Sequence, residues 1–179
     1  AKGIERRVFV SAGTACVANG SLDVYAALEE AARKSKVDVD LALTSDGSKT
    51  KRLLSMSGCH GFCQMGPLVY VMPDDILYVK VKPADAADIV EQTFKNGAVI
   101  KRLLFHDKMQ EKKPKQVTRY RGRSDIPFYT VQQRLILERC GEIDPESFED
   151  FLAHGGFTGL QRALFELSPE EVIDEIEQS

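Results

Sequence analysis

The chain has 179 residues, 43% of them hydrophobic and 28% charged, with 24 Lys+Arg against 27 Asp+Glu and a net charge of −3. This excludes disordered, collagen-like and fibrous chains and points to a soluble globular protein, long enough for one full domain or a small domain with an appendage. No run reaches the roughly 20 apolar residues that span a bilayer, residues 1–7 lack the apolar core of a secretory signal, and the slight acidity argues against a nucleic-acid binder. The expectation is a cytoplasmic protein without membrane insertion or nucleic acid, whose partners are proteins or small molecules.

Residues 4–11 have the β-branched and aromatic content of a strand, and they run into Ala12-Gly13-Thr14-Ala15-Cys16, small residues suited to a tight loop. Ser21 is placed to cap a helix through Lys34, with Leu22, Val24, Tyr25, Ala27, Leu28 and Ala31 at helical spacing. Val37, Val39, Leu41 and Leu43 alternate with Asp38, Asp40 and Ala42, the two-residue period of a half-buried strand. Residues 44–50 read as a turn and residues 51–56 as a further extended piece. Residues 67–72 and 76–81 flank Pro73-Asp74-Asp75 and predict a β-hairpin. Pro83 opens a second helix with Ala86, Ala87, Ile89, Val90 and Phe94 on its apolar face and a stop at Asn96-Gly97. The order strand, helix, strand, loop, hairpin, helix predicts an α/β fold, a thioredoxin-like central sheet with helices packed on it.

Charge divides the chain into three parts. Residues 1–105 carry 14 Lys+Arg against 12 Asp+Glu, residues 106–127 carry 7 against 3, and residues 128–179 carry 3 against 12. The middle part, with Pro114, Gly122, Pro127 and scattered apolar residues, reads as a basic linker, either a solvated tether or a strip lying along an acidic partner surface. Residues 128–179 read as short helices. Val131, Leu135 and Ile136 give an apolar helix ending at Cys140-Gly141, Asp144-Pro145 starts the next, Gly155-Gly156 ends it, and Ser168-Pro169-Glu170-Glu171 is a capping box. Phe148, Phe151, Leu152, Phe157, Leu160, Leu164, Phe165 and Ile173 need a neighbour. No G-x-G-x-x-G or Walker pattern occurs.

Four cysteines, Cys16, Cys59, Cys63 and Cys140, in a chain of this kind are ligands, catalysts or core residues rather than disulfides. Cys59-His60-Gly61-Phe62-Cys63 places two thiols in a stretch that also holds Gly58, Gly66 and Pro67. Backbone N–H groups in such loops can point at sulfur, which eases the holding of negative thiolates. Thiol–disulfide exchange is disfavoured, because it uses C-x-x-C at the start of the first helix and that loop offers only Cys16. His60 reads as a loop residue or a donor behind the ligands. Cys140, at the end of an apolar helix in another domain, reads as a core residue.

The motifs Val8-Phe9-Val10-Ser11-Ala12-Gly13-Thr14-Ala15-Cys16 with Gly20-Ser21, and Ser57-Gly58-Cys59-His60-Gly61-Phe62-Cys63-Gln64-Met65-Gly66-Pro67-Leu68-Val69, resemble the thioredoxin-like [2Fe-2S] ferredoxin domain. That domain opens the flavoprotein (beta) subunits of NAD(P)H-dependent, bifurcating iron hydrogenases, which are similar to the NADH-binding flavoprotein subunit of complex I. Phe128-Tyr129, Gln133-Arg134, residues 137–145, Gly155-Gly156-Phe157 and residues 168–173 resemble the segment leading into the flavin domain of those subunits. The resemblance spans residues 8–179. It implies a ferredoxin domain over 1–105, a basic linker over 106–127 and a helical segment over 128–179. It also implies a [2Fe-2S] cluster at Cys16, Cys59 and Cys63. FMN, NAD(P)H and a [4Fe-4S] cluster would belong to a remainder following Ser179, so these residues carry electrons or dock partners but do not perform hydride transfer. The implied partners are other subunits of a multi-subunit redox complex, including a ferredoxin-like electron carrier.

One position departs from the family pattern of C-x-x-x-x-C and C-x-x-x-C: Ser11 stands where the first cysteine belongs. A hydroxyl is a harder ligand with a much higher pKa than a thiol. Three outcomes stay open: Ser11 ligates as an alkoxide, another group completes the site, or the domain keeps the shape without the cluster. The functional alternatives are accordingly an electron-transfer module and a cluster-free docking domain.

Overall fold

The computed structural model describes residues 6–37, 40–41, 52–107 and 117–179. Five strands, β1 (Arg6–Ser11), β2 (Asp40–Leu41), β3 (Arg52–Ser57), β4 (Val69–Met72) and β5 (Ile76–Tyr78), form one sheet in the order β2-β3-β1-β4-β5. β1 runs parallel to β3 and antiparallel to β4, which forms a hairpin with β5. A parallel pair needs a crossover, and helix α2 (Ser21–Lys34) supplies it. This is the thioredoxin-like α/β arrangement.

The period of two along each strand sends alternate residues to two separate cores. Val8, Val10, Leu54, Val69, Val71, Ile76 and Tyr78 pack with Val24 and Leu28 of α2 and with Ile89, Val90 and Phe94. Phe9, Tyr70, Leu77 and Val79 face the other way and pack with Phe62, Leu68, Ile126 and Tyr129. The second core therefore draws on residues far along the chain.

Several elements differ from the sequence expectation. Residues read as a loop before Cys16 start a short helix, α1 (Thr14–Ala18), which buries Cys16. The strand expected over 37–43 is described only as β2, and the turn at 44–50 lies outside the described residues, as do residues 4–5 of the first strand. The helix opened by Pro83 is a 3-10 turn (Pro83–Asp85), one α-helical turn, α3 (Ala86–Asp88), and then a π-helix (Ile89–Lys95). The wider winding keeps Ile89, Val90, Thr93 and Phe94 all buried, with Thr93 Oγ1 hydrogen-bonded to the Tyr78 hydroxyl at 2.6 Å.

The stretch read as a linker, 106–127, is tied to the fold at several points among its described residues, residues 108–116 lying outside the described set. Strand β6 (Phe105–His106) pairs with β7 (Arg119–Tyr120), Leu77 donates its N–H to the Arg121 carbonyl at 2.8 Å, and Ile126 is fully buried. The Asp75 carboxylate accepts the Arg123 N–H at 2.9 Å, the Ser124 N–H at 3.2 Å and the Ser124 hydroxyl, which fixes the stretch to the hairpin turn. Too few apolar residues to fold alone are enough when the stretch joins an existing sheet.

The apolar helix expected before Cys140 is not formed. Helix α4 (Pro127–Thr130) is one turn, and Val131, Leu135 and Ile136 are 84%, 73% and 96% exposed. Helices α5 (Phe148–Ala153), α6 (Thr158–Phe165) and α7 (Pro169–Gln178) follow. Ser147 rather than Asp144 caps α5, while Ser168 and Glu171 form the expected capping box on α7. The Arg7–Asp150 ion pair ties α5 to β1. No helix among the described residues is long and apolar enough to cross a membrane.

Candidate metal centre

Ser11 ends β1 and lies opposite Ser57, which ends the parallel strand β3, so the loops leaving these strands emerge side by side. The first carries Cys16 on α1; the second carries Cys59 and then Cys63, which opens a 3-10 turn, Cys63–Met65. The loops touch. A Cβ on Gly13 would sit 3.0 Å from the Cys59 Cβ and 3.5 Å from its Sγ, and a Cβ on Gly66 would sit 2.6 Å from Cys16 Sγ. Any side chain at Gly66 would force the Cys16 thiol to shift.

Cys59 Sγ and Cys63 Sγ are 3.6 Å apart. Two thiolates on one tetrahedral metal, with bonds of about 2.3 Å, lie about 3.8 Å apart. The Gly61 N–H donates to Cys59 Sγ at 3.3 Å. The Cys63 thiol is held above its ordinary pKa, first by its hydrogen bond with Cys59, then by burial, then by the charges of Cys59 and Cys16. Three sulfurs within electrostatic reach resist joint ionisation, and a cationic centre would remove that resistance. Cys16 is buried against Gly66, apart from the Cys59–Cys63 pair, and among the described residues no group of three or more His, Cys, Asp and Glu side chains is gathered in metal-holding geometry.

Ser11 is fully buried, and its Oγ accepts the Leu68 N–H at 3.0 Å. A backbone N–H aimed at this oxygen favours negative charge on it, as Gly61 does at Cys59. The structure thus joins Cys59 to Cys63, seats Cys16 in the adjoining loop and holds Ser11 at the strand end against Leu68.

His60 is buried, with Nε2 2.5 Å from Ser57 Oγ. Burial first, then Arg123 and Arg134, push its pKa down to about 3, so it is neutral at pH 7. The Cys140 thiol is half-buried rather than in a core, and it lies 3.4 Å from the position a Cβ on Gly58 would take. It packs on the loop bearing Cys59 instead of in a separate domain. Arg123, one of seven basic residues in the presumed linker, lies 4.7 Å over the Tyr70 ring. It donates to the Cys140 carbonyl at 2.8 Å and pairs with Glu142 at 2.9 Å. Phe62, beside Cys63, stacks on Phe128 at 4.6 Å and meets Tyr129 edge-on at 5.5 Å.

Comparison with known proteins bears on this arrangement. No family model matches the chain. It is 36% identical over 90 residues to a 2Fe-2S ferredoxin of Aquifex aeolicus, covering 50% of this chain and 72% of that protein. A 2Fe-2S ferredoxin of Clostridium pasteurianum is 38% identical over 61 residues, 34% of this chain and 60% of that one. NADP-reducing hydrogenase subunit HndC of Solidesulfovibrio fructosivorans is 42% identical over 48 residues, which is 27% of this chain but only 10% of that subunit. Among solved structures, a thioredoxin-like [2Fe-2S] ferredoxin from Aquifex aeolicus aligns with a TM-score of 0.45 at 30% identity, over 56% of this chain and 89% of that one. With the identity to the first of these relatives running over most of its length, the chain belongs to the thioredoxin-like [2Fe-2S] ferredoxin family.

Proposed function

We propose that this chain is an electron-transfer module that holds a [2Fe-2S] cluster through Cys16, Cys59 and Cys63, with Ser11 at the fourth position. When bound, the cluster would supply one-electron chemistry at iron. The observation that carries the proposal is the 3.6 Å separation of Cys59 Sγ and Cys63 Sγ, which suits two ligands of one tetrahedral iron. The chain's own residues supply the ligating sulfurs, the Gly61 N–H that donates to Cys59, the Leu68 N–H that donates to Ser11, and the burial of Cys16. The short match to the hydrogenase subunit supports placement in an NAD(P)H-dependent flavoprotein subunit of a multi-subunit complex, exchanging electrons with a flavin domain and a ferredoxin-like partner.

A second reading, a cluster-free docking domain for the same kind of complex, is favoured by one observation: among the described residues no three His, Cys, Asp or Glu side chains stand in metal-holding geometry. Iron and acid-labile sulfide analysis of anaerobically prepared protein, with electron paramagnetic resonance after reduction, separates the two. The module should show a spin-one-half [2Fe-2S] signal; a content that stays near zero after reconstitution leaves only the docking domain.

A further inference from the structure

One turn of the second segment packs against both chain neighbours of Cys59, which are Gly58 and His60. Cys140 sets its sulfur 3.4 Å from the position that a Cβ on Gly58 would take, and a Cβ on Gly141 would lie 2.5 Å from His60 Cε1 and 3.1 Å from its Nε2. Gly141 is buried at φ +82°, a left-handed conformation open to glycine, and a side chain there would force the ring to move. The turn is anchored on the side of the sheet. Arg123 donates to the Cys140 carbonyl at 2.8 Å and to Glu142 at 2.9 Å, and Arg7 of β1 donates to the Glu142 carbonyl at 3.4 Å.

The His60 ring is held by a hydrogen bond at one nitrogen only. Its Nε2 meets Ser57 Oγ at 2.5 Å, while Nδ1 is buried without a hydrogen-bond partner among the described residues, so packing sets where the ring sits. That packing comes from the Tyr70 ring, edge-on at 6.1 Å, and from Gly141. Cys59 has little slack of its own, with the Gly61 N–H on its Sγ at 3.3 Å and Gly13 close against its Cβ. In a close-packed interior a shift of the ring therefore passes to Cys59 and to its 3.6 Å approach to Cys63. We propose, resting on the reading of Cys59 as a cluster ligand, that Gly141 and His60 are positioning residues. The turn holding Gly141 seats the His60 ring, the ring sets where Cys59 Sγ stands, and the second segment is thereby coupled to the metal centre.

The test compares two glycines with similar backbone conformation, Gly141 at φ +82° and Gly155 at φ +86°, the second of which has only Thr158 Cγ2, at 4.0 Å, near its Cβ position. In the ¹⁵N-labelled apo chain, Gly141→Ala should shift the amides of Cys59, His60 and Gly61 and change the rate of Cys59 alkylation by iodoacetamide several-fold, whereas Gly155→Ala should leave both as in the parent. In a His60→Ala background Gly141→Ala should add nothing further. Cys140→Ala, which brings no backbone strain, should shift the Gly58 and Cys59 amides, and it carries the test if Gly141→Ala does not fold, as judged by amide shifts in α2. After reconstitution Gly141→Ala should move the reduction potential and the electron paramagnetic resonance g values, and Gly155→Ala should not. A parent chain that takes up no iron overturns the cluster reading, while the apo comparison still measures the positioning of Cys59. A parent-like Cys59 amide and alkylation rate in folded Gly141→Ala, equal effects from Gly155→Ala, an undiminished effect without the His60 ring, or unshifted Gly58 and Cys59 amides in Cys140→Ala would each overturn the assignment.

Discussion

Ser11 and Leu68 are joined twice: the Leu68 N–H donates to Ser11 Oγ at 3.0 Å, and the Ser11 N–H donates to the Leu68 carbonyl at 3.0 Å. The end of β1 is thereby fixed to the segment that enters β4, and the side chain at position 11 is fixed with it. Ser11→Cys should raise cluster occupancy and oxygen resistance, since a thiolate replaces a hydroxyl that is reluctant to ionise. Ser11→Ala should lower occupancy and also cost about 1–3 kcal/mol by leaving the buried Leu68 N–H without its side-chain acceptor. Iron content and thermal unfolding measured on the same preparations check both.

Cys59→Ala should abolish the cluster, because it removes one of the two thiols already at bridging distance and the sulfur that Gly61 supports. Cys140→Ala should retain it, because the Cys140 thiol is turned to Gly58, and should cost only about 1–2 kcal/mol of packing. Loss of iron from folded Cys140→Ala would transfer the fourth ligand to Cys140.

At Gly66 an added methyl would meet Cys16 Sγ at 2.6 Å. Gly66→Ala should displace the thiol and reduce cluster content far more than it reduces the melting temperature of the apo chain. Equal iron content in the variant and the parent would remove Cys16 from the ligand set.

Arg123 joins Tyr70, the Cys140 carbonyl and Glu142, three points on the surface between the sheet and the second segment. Arg123→Ala should destabilise the chain by about 2–3 kcal/mol and speed hydrogen exchange in β6, β7 and residues 137–143, while exchange in α2 and β3 changes little.

Burial raises the pKa of Asp75, but hydrogen bonds from the Ser124 hydroxyl and N–H, the Arg123 N–H and the Tyr70 hydroxyl outweigh it and leave the carboxyl below its ordinary value. A depressed folded pKa means that the unfolded chain binds the proton first. The contribution of Asp75 is therefore complete above the ordinary carboxyl pKa near 4 and is lost as pH falls through the lower folded value. Asp75→Asn should be less stable than the parent at pH 7, with the difference shrinking in acid. A constant difference from pH 6 to pH 2, in unfolding curves, would contradict this.

The strand and helix order of the first hundred residues was legible because each element carries its own period: alternation in the strands and the i, i+3, i+4 spacing of Val24, Leu28 and Ala31 in α2. The cysteine-bearing loops and the Ser11 departure were equally plain, since ligand type and spacing are local properties. Tertiary structure decided the rest. Ile126, Arg123 and Tyr129 sit in sequence surroundings that look solvated, and only the apolar second face of the sheet, with Asp75 and Tyr70 at its margin, makes their burial favourable. For the same reason Cys140 changed place: the helix that would have put it in a separate core gives way to a turn that packs on Gly58 and is held by Arg123. Periodicity reports what a segment buries, not which surface it is buried against, and that surface exists only once β1, β4 and β5 are assembled.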